Sequence, residues 1–313
     1  MSDHPPITVG VVAGEADYAA VEWATYEAAV RGAPLLIVTV IEDLEPTMRA
    51  WHLPSEYVHE VARTAQGVVT EASVVARVIA NQAGVRDLEI SSKVLRGSVR
   101  DKLIAQSIDA AMMVFGARPS NGLRPDPITS ALAMHAHCPV VLVPTRAASQ
   151  TPPHHVVVGL DGSPASMEAV AAAFDEADRR GAPLLAVHSW QENKMHSAFG
   201  DVNDPRSIDL QEAENAVVAE QLAGWSQDYP DVAVTYRSVH GDPVDVLTRL
   251  SRDAELLVVG SRGLGGFTGM LLGSTSQRLM HDLPCPTLIA RHRVNDAPSL
   301  FDRFTRSAPA SRS

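Results

Sequence analysis

The hexapeptide RGAPLL occurs twice in this chain, at 31–36 and again, unchanged, at 180–185. The two copies are 149 positions apart (180 − 31 = 149), which is nearly half of the 313 residues. Six identical residues can match by chance, so a duplication requires further matches in the same order.

Four further pairs of segments match in that order. They are ITVGVV (7–12) with HVVVGL (155–160), Gly97-x3-Asp101-x-Leu103 with Gly241-x3-Asp245-x-Leu247, AAMMVFG (110–116) with AELLVVG (254–260), and His135-x2-Cys138-Pro139 with His281-x3-Cys285-Pro286. Five ordered matches predict an internal duplication. The boundary lies near 145–154, where Pro, Ser and polar residues are typical of a linker.

Each repeat alternates short apolar runs with helical segments. The second repeat predicts strands at 155–160, 183–190, 232–239, 255–260 and 285–291, and helices at 164–180, 208–229, 243–254 and 274–282. Ser163-Pro164 is typical of a helix start, and Gly181 of a helix end. This order predicts α/β architecture, with two tandem open five-stranded parallel-sheet, Rossmann-like domains. We expect domains at 1–147 and 154–291, a flexible tail at 292–313, and pairing of the edge strands at 138–143 and 285–290.

Composition limits the classes of function. Lys and Arg total 26 against 37 Asp and Glu, and a net charge of −11 argues against a general nucleic-acid binder. The negative net charge does not exclude one nucleotide that is held in a pocket by backbone amides. Only Cys138 and Cys285 occur, in equivalent places, so we expect small core residues rather than a disulfide framework. The sequence predicts no signal peptide and no membrane span, and hence a cytoplasmic protein.

The strongest chemical feature follows the predicted strand 255–259. Gly260-Ser261-Arg262-Gly263 is separated by nine residues from Gly273-Ser274-Thr275-Ser276, where a helix begins. Glycines let a backbone approach an anion, and amides at a helix start donate to phosphate. The alternative is a glycine-rich turn with capping serines. A P-loop is excluded because no lysine is nearby, and a dinucleotide fingerprint because Thr268 occupies its last glycine position.

The pattern Gly260-x2-Gly263-x9-Gly273-Ser274 resembles the ATP-binding signature of the universal stress protein family. The segment from Val158 to Ser163 resembles that family's first strand and its acidic residue, and Cys285-Pro286 is typical of its last strand. The resemblance covers 7–145 and 154–291 and points to a tandem protein of the actinobacterial, especially mycobacterial, type. It implies adenine nucleotide alpha hydrolase-like domains and ATP as the ligand, with Mg²⁺ as an accompanying ion.

The resemblance also implies roles for particular residues. Asp161 would contact the ribose, and the backbone near Ser189 would contact adenine. Val259 and Gly260 would lie beside the ribose and phosphates. The remaining predicted nucleotide-binding residues, at the triphosphate, are Gly263, Gly273, Ser274, Thr275 and Ser276. Arg262 either adds positive charge there or is a surface arginine.

The first repeat departs from this pattern. The hexapeptide alignment places Val12 opposite Asp161, and Pro119, which has no N–H, replaces Gly263. Counting back from Cys138 places Asp126-Pro127 opposite Gly273-Ser274, whereas counting forward from Gly116 places Thr129-Ser130 there. The hypothesis is one competent ATP site, in the second repeat.

We therefore expect a nucleotide-binding protein of stress response or growth regulation, acting through nucleotide-dependent conformation or interactions. The alternatives are a slow ATPase and a nucleotide-independent interaction module. No catalytic or metal-binding residue is assigned: His135, His137 and Cys138 lack a fourth ligand at obvious spacing, and Asp175 and Glu176 are interpreted as a solvated helix face. The expected partners are an adenine nucleotide, a second copy in a homodimer, and an unidentified regulatory protein.

Overall fold

The computed structural model describes most of both repeats. The described residues are 4–12, 15–43, 55–117, 126–145, 155–163, 166–190, 222, 224–262 and 272–291. They fall into two compact units. The first unit lies within Met1–Ala148 and Met280–Asn295, and the second within Ser149–Leu279.

The first unit is a parallel sheet with connecting helices. Its elements are β1 (Ile7–Gly10), α1 (Glu15–Arg31), β2 (Leu35–Ile41), α2 (Ser55–Gln82), β3 (Ile90–Arg96), α3 (Val99–Gln106), β4 (Met112–Ala117), α4 (Pro127–His135) and β5 (Val140–Pro144). The strand order β3-β2-β1-β4-β5 places β1 between β2 and β4, both parallel to it. Strand β1 and most of β2, β4 and β5 are buried and apolar, as expected for a covered parallel sheet.

The second unit repeats this order. Its elements are β6 (Val156–Leu160), α5 (Ser166–Arg180), β7 (Leu184–Trp190), β8 (Val234–His240), α6 (Pro243–Leu250), β9 (Leu256–Gly260) and α7 (Ser274–Leu279), in the strand order β9-β6-β7-β8. The α/β prediction is therefore confirmed. Of the helix predicted at 208–229, only Leu222 and 224–229 are described; Leu222 and 224–228 are helical, and Tyr229 follows the last turn.

The last strand of the second repeat, β10 (Thr287–Ala290), belongs to the first unit. It pairs antiparallel with β5, with Leu288 opposite Val141. The two predicted edge strands therefore pair with each other. Arg291 then donates from Nε to the Ala133 carbonyl (3.0 Å) and from Nη1 to the Ala136 carbonyl (3.2 Å), at the end of α4. A cation is favourable there because the last carbonyls of a helix carry partial negative charge.

The repeated hexapeptide ends a helix and starts a strand in the same way in both units. Gly32 and Gly181 both have φ of +59°, a conformation that glycine adopts without strain. The next amide, of Ala33 or Ala182, donates back to a carbonyl five residues earlier at 2.9 Å, completing a Schellman motif. The Pro carbonyl of each copy accepts from the first residue of the central strand, Ile7 or Val156, at 2.9 Å. Both copies of the hexapeptide therefore make the same contacts between a helix end and the sheet.

The arginine of each copy pairs with a buried glutamate one turn earlier. Arg31 pairs with Glu27 in α1, and Arg180 pairs with Glu176 in α5. Glu27 is 2% exposed and Glu176 is 1% exposed. The interpretation of Glu176 as part of a solvated face was wrong, because the helix turns this carboxylate inward to an arginine; Asp175 beside it is partly exposed. Cys138 and Cys285 are buried, as predicted.

Candidate functional site

A cleft opens in the second unit at the carboxyl ends of β6, β7 and β9. Including its solvent-filled mouth, it encloses about 850 Å³. Its lining residues are Gly159, Leu160, Asp161, Ser166, Val187, Ser189, Pro243, Leu247, Val259, Gly260, Arg262, Gly273, Ser274, Thr275 and Ser276. Ligands of open α/β sheets bind at this edge because the helices that follow the strands leave a crevice there.

The cleft brings together every predicted nucleotide-binding residue that the structure describes. These are Asp161, Ser189, Val259, Gly260, Gly273, Ser274, Thr275 and Ser276. Gly263 lies outside the described residues. Residues more than a hundred positions apart in sequence therefore share one cavity wall.

Asp161 follows β6 and is held by the turn into α5. Its Oδ1 accepts from the Ser163 amide at 3.0 Å, and Gly162 between them has φ of +77°. Ser163 then caps α5, because its Oγ accepts from the Ser166 amide at 3.1 Å. The predicted cap is thus confirmed; Pro164, predicted as the first helical residue, lies outside the described residues. This local network fixes a carboxylate at the edge of the cleft.

One end of the cleft is apolar. Its walls come from Leu160 and Val187 at the strand ends and from Pro243 and Leu247 of α6. Gly159 forms the floor, where an added Cβ would lie 2.8 Å from Leu247 Cδ1. Ser189 belongs to the same end, and its hydroxyl donates to the Gly241 carbonyl at 2.7 Å. This hydroxyl is therefore engaged within the protein, and the β7 backbone is left as the contact surface.

The other end is polar and is built by β9 and the start of α7. Ser276 Oγ donates to the Gly260 carbonyl at 2.5 Å, and the Gly273 amide donates to the Ser261 carbonyl at 2.7 Å. The first helical bond of α7 runs from the Gln277 amide to the Gly273 carbonyl at 2.9 Å. The amides of 274–276 precede that bond, so they are donors at a helix start.

Several lining residues were not predicted from the sequence. They are Gly159, Leu160, Ser166, Val187, Pro243 and Leu247. Pro243 and Leu247 lie in the matched segment Gly241-x3-Asp245-x-Leu247, so the repeat itself was the available signal. Arg262 lines the cleft and is also exposed to solvent, so the structure is compatible with both of the roles that the sequence allows for it.

Two charged side chains connect α6 and α7 next to the cleft. Arg278 Nη1 lies 2.7 Å from Asp242 Oδ2. Asp242 also caps α6, since its Oδ1 accepts from the Val244 amide at 2.9 Å. The guanidinium is the main reason that the pKa of Asp242 is lowered, and the same bond raises the pKa of Arg278.

Comparison with known proteins now identifies the fold family. The universal stress protein family model matches residues 5–144 and 153–291. The chain belongs to the universal stress protein family. Its two matched segments make it a tandem member, as the duplication predicted.

Related tandem proteins occur in mycobacteria. A universal stress protein of Mycobacterium tuberculosis is 34% identical over 307 residues, covering 91% of this chain and 94% of the relative. One of Mycolicibacterium smegmatis is 35% identical over 297 residues, covering 92% and 97%. A solved universal stress protein from Archaeoglobus fulgidus has a TM-score of 0.65 at 16% identity, covering 93% of this chain and 99% of that one, and thus shares its fold.

Strand register places the universal stress protein repeats in correspondence. Ile7 pairs with Leu35, and Val156 pairs with Leu184, the fifth residue of each hexapeptide. Gly10 therefore corresponds to Gly159, and Val12 to Asp161. Likewise Ile7 pairs with Met112 and Val156 with Leu256, so Phe115 corresponds to Val259.

In the first unit, the Phe115 ring takes the place of the cleft floor. It is 8% exposed and packs on Gly10, where an added Cβ would lie 2.7 Å from Phe115 Cδ1. Val12, in the position of Asp161, is 64% exposed, and its amide donates to Asp17 Oδ2 at 2.8 Å. A cavity of about 270 Å³ in this unit lies elsewhere, between α1 and α2 beside Tyr18 and Glu71.

The start of α4 also differs from that of α7. The Ser130 amide donates to the Asp126 carbonyl at 2.9 Å, as Gln277 does to Gly273. Asp126 therefore corresponds to Gly273, which decides between the two alignments left open by the sequence. Asp126 Oδ2 accepts from the Thr129 amide at 3.0 Å, so a carboxylate already occupies this helix start.

Proposed function

We propose that the second unit binds ATP in this cleft and that the bound nucleotide alters the interactions of the protein in stress response or growth regulation. The observation that carries the proposal is the cleft itself. It joins an apolar end, a fixed carboxylate and a glycine-serine helix start within one cavity.

The lining fits the three parts of an adenine nucleotide. The apolar end, with Leu160, Val187 and Leu247, suits the flat adenine ring. Asp161 suits the ribose, since a carboxylate can accept hydrogen bonds from both hydroxyls. The amides and hydroxyls at 274–276 suit phosphate oxygens. Mg²⁺ commonly binds through substrate phosphates and only one or two carboxylates, so the ion would enter with the nucleotide.

We further propose that each chain holds one such site. In the first unit, Phe115 fills the floor and Val12 supplies no carboxylate. Asp126 adds a negative charge where the phosphates would lie, and like charges repel. Three differences at three separate contacts support a first unit that does not bind nucleotide.

Titration calorimetry with ATP, with and without Mg²⁺, tests this function on the purified full chain. Replacing Asp161 by Ala removes a charged acceptor, for which about 1.5–3 kcal/mol, or roughly a 10- to 150-fold loss of affinity, is expected. Asp126→Asn, which removes a carboxylate at the helix start of the first unit, is the control and is expected to leave affinity unchanged. Unchanged ATP binding in the Asp161 variant would contradict the proposal.

The two alternatives have their own readouts. Phosphate release during incubation with ATP measures the slow ATPase, which requires a positioned water and charge stabilisation. An Asp161→Ala strain that keeps the wild-type stress phenotype would favour the nucleotide-independent interaction module. A homodimer, a regulatory partner protein and a cytoplasmic location stay predictions. Light scattering of the purified chain measures the first of these.

A further inference from the structure

We propose that Arg278 makes the affinity of the cleft depend on the number of phosphates in the nucleotide. This inference rests on the proposed function of the same cleft. Arg278 would act at the rim of the cleft by supplying positive charge. Its guanidinium offsets the nearby carboxylate of Asp242 and pairs with the outer phosphates.

The placement of Arg278 follows from the helix that carries it. Arg278 comes four residues after Ser274, so both lie on one face of α7. Helical side chains lean toward the N-terminus, which carries the guanidinium back toward the start of α7. It meets Asp242 at 2.7 Å, and its side chain is 52% exposed. Arg278 lies outside the residues that line the cleft, and the exposed half of its side chain leaves the guanidinium open to solvent next to α7.

Asp242 explains why a cation is needed at this place. Its Oδ1 accepts from the amides of Val244 (2.9 Å) and Asp245 (3.4 Å), so the carboxylate is fixed as the cap of α6. The next residue, Pro243, lines the cleft. A fixed negative charge one residue from the cavity wall repels a polyphosphate unless it is neutralised. Arg278 supplies that neutralising charge.

The first unit provides an internal comparison. Gly97 corresponds to Gly241, so Ser98 corresponds to Asp242, and Ser98 caps α3 with a neutral hydroxyl at 3.4 Å from the Asp101 amide. Counting from Asp126 and Gly273, Ala131 corresponds to Arg278, and it is buried. Among the described residues, the charged pair thus occurs in the unit that has the cleft and is replaced by Ser and Ala in the other.

Calorimetric titration with adenosine, AMP, ADP and ATP, without Mg²⁺, tests the inference. In Arg278→Gln the affinity for ATP should fall about fivefold, the size of a partly exposed ion pair, while the affinity for adenosine stays within about twofold. Arg249→Gln, an equal change of charge at an exposed site in the last turn of α6, is the control and should leave both affinities unchanged.

Asp242→Asn is the complementary variant. Asn caps a helix as well as Asp does, so α6 is retained while Arg278 is released toward the ligand. We expect ATP affinity to rise about threefold and adenosine affinity to stay the same.

Three results would overturn the inference: equal losses for adenosine and ATP in Arg278→Gln, no loss for either, or weaker ATP binding in Asp242→Asn. If the wild-type chain binds no nucleoside or nucleotide, the proposed function fails as well. Because adenosine is part of the series, the two failures are distinguishable.

Discussion

The two units use the hexapeptide RGAPLL identically and their strand ends differently. In both, its arginine pairs with a buried glutamate, its glycine has φ of +59°, and its proline carbonyl receives the first bond of the central strand. At the carboxyl ends, one unit has Gly159 packed against Leu247 with Val259 lining the cleft, and the other has Gly10 under the Phe115 ring. The contacts that build the fold were kept, and those that line a cavity diverged.

This difference separates stability from binding. Changes at the shared positions should destabilise either unit, whereas changes at the divergent positions should alter binding in one unit only.

The largest expected effect is at the shared ion pair. Glu176→Ala leaves the buried Arg180 with only part of its pairing, through Glu255 at 3.1 Å, and should cost about 3 kcal/mol. Glu27→Ala in the first unit should cost a similar amount. Urea unfolding measures both. Asp175→Ala, which removes the neighbouring exposed pair with Arg179, is the control and should cost less than about 1 kcal/mol. Equal losses of unfolding free energy in all three variants would show that the stability contributed by these ion pairs does not depend on their burial.

Exchanging the floor residues tests the divergent positions. Val259→Phe should bring a ring into the cleft beside Gly159 and Leu247, as Phe115 lies over Gly10, and weaken ATP binding by about 100-fold or more, that is about 2.7 kcal/mol. Fluorescence titration with a labelled ATP analogue measures the loss. Val114→Ile, a change in the buried β4 of the first unit, is the control for overpacking. Tight binding by Val259→Phe would mean that the floor does not contact the ligand.

The reciprocal change has a smaller effect, on stability. Phe115→Val removes a buried ring and should lower the free energy of unfolding by about 2 kcal/mol through lost burial and a residual cavity. ATP stoichiometry should stay unchanged, because Val12 and Asp126 still differ from Asp161 and Gly273. A second ATP bound by this single variant would show that Phe115 alone closes the first site.

The smallest effect concerns pH. The pKa of Asp242 is lowered mainly by Arg278, so the folded carboxylate stays charged below its ordinary value of 3.8. A lowered carboxyl pKa stabilises the fold above the unfolded pKa, and this stabilisation is lost as pH falls through the folded pKa. Because the pair is partly exposed, we expect less than about 1 kcal/mol. Thermal melts of wild type and Asp242→Asn should converge as pH falls below 3.8. A difference that grows in acid would contradict this assignment.

Much of the fold could be predicted from the sequence, because helix caps, glycine stops and apolar strands are local signals. The Ser163 cap and the Gly181 stop follow from such signals, whereas the duplication follows from matched segments far apart in sequence and the pairing of the last strands from the tendency of edge strands to pair. The inward turn of Glu176 was missed because an acidic pair next to a polar helix face is usually solvated. Glu176 is buried because it pairs with Arg180, and this pairing depends on how α5 packs on the sheet.

The site residues that lie in the repeat or in the family motif could be predicted from the sequence. Whether the cleft is open or filled depends on side-chain packing and was harder to predict. The difference between Val259 and Phe115 is inconspicuous in sequence, since both are apolar strand residues. Its consequence depends on the glycine that lies beside each in the sheet. The alignment of Asp126 with Gly273 also needed the structure. Because the two loops differ in length, counting residues from either end gives two different alignments, and the first hydrogen bond of each helix decides between them.

The central claim is one nucleotide per chain, held by the second unit. Native mass spectrometry of the full-length protein with ATP counts bound nucleotides directly. At an ATP concentration that just saturates the wild type, we predict one ATP per chain in the wild type and in Asp126→Asn, and a strongly reduced bound fraction in Asp161→Ala. Two ATP molecules per wild-type chain, or an undiminished bound fraction in Asp161→Ala at that concentration, would contradict this stoichiometry and its assignment to the second unit.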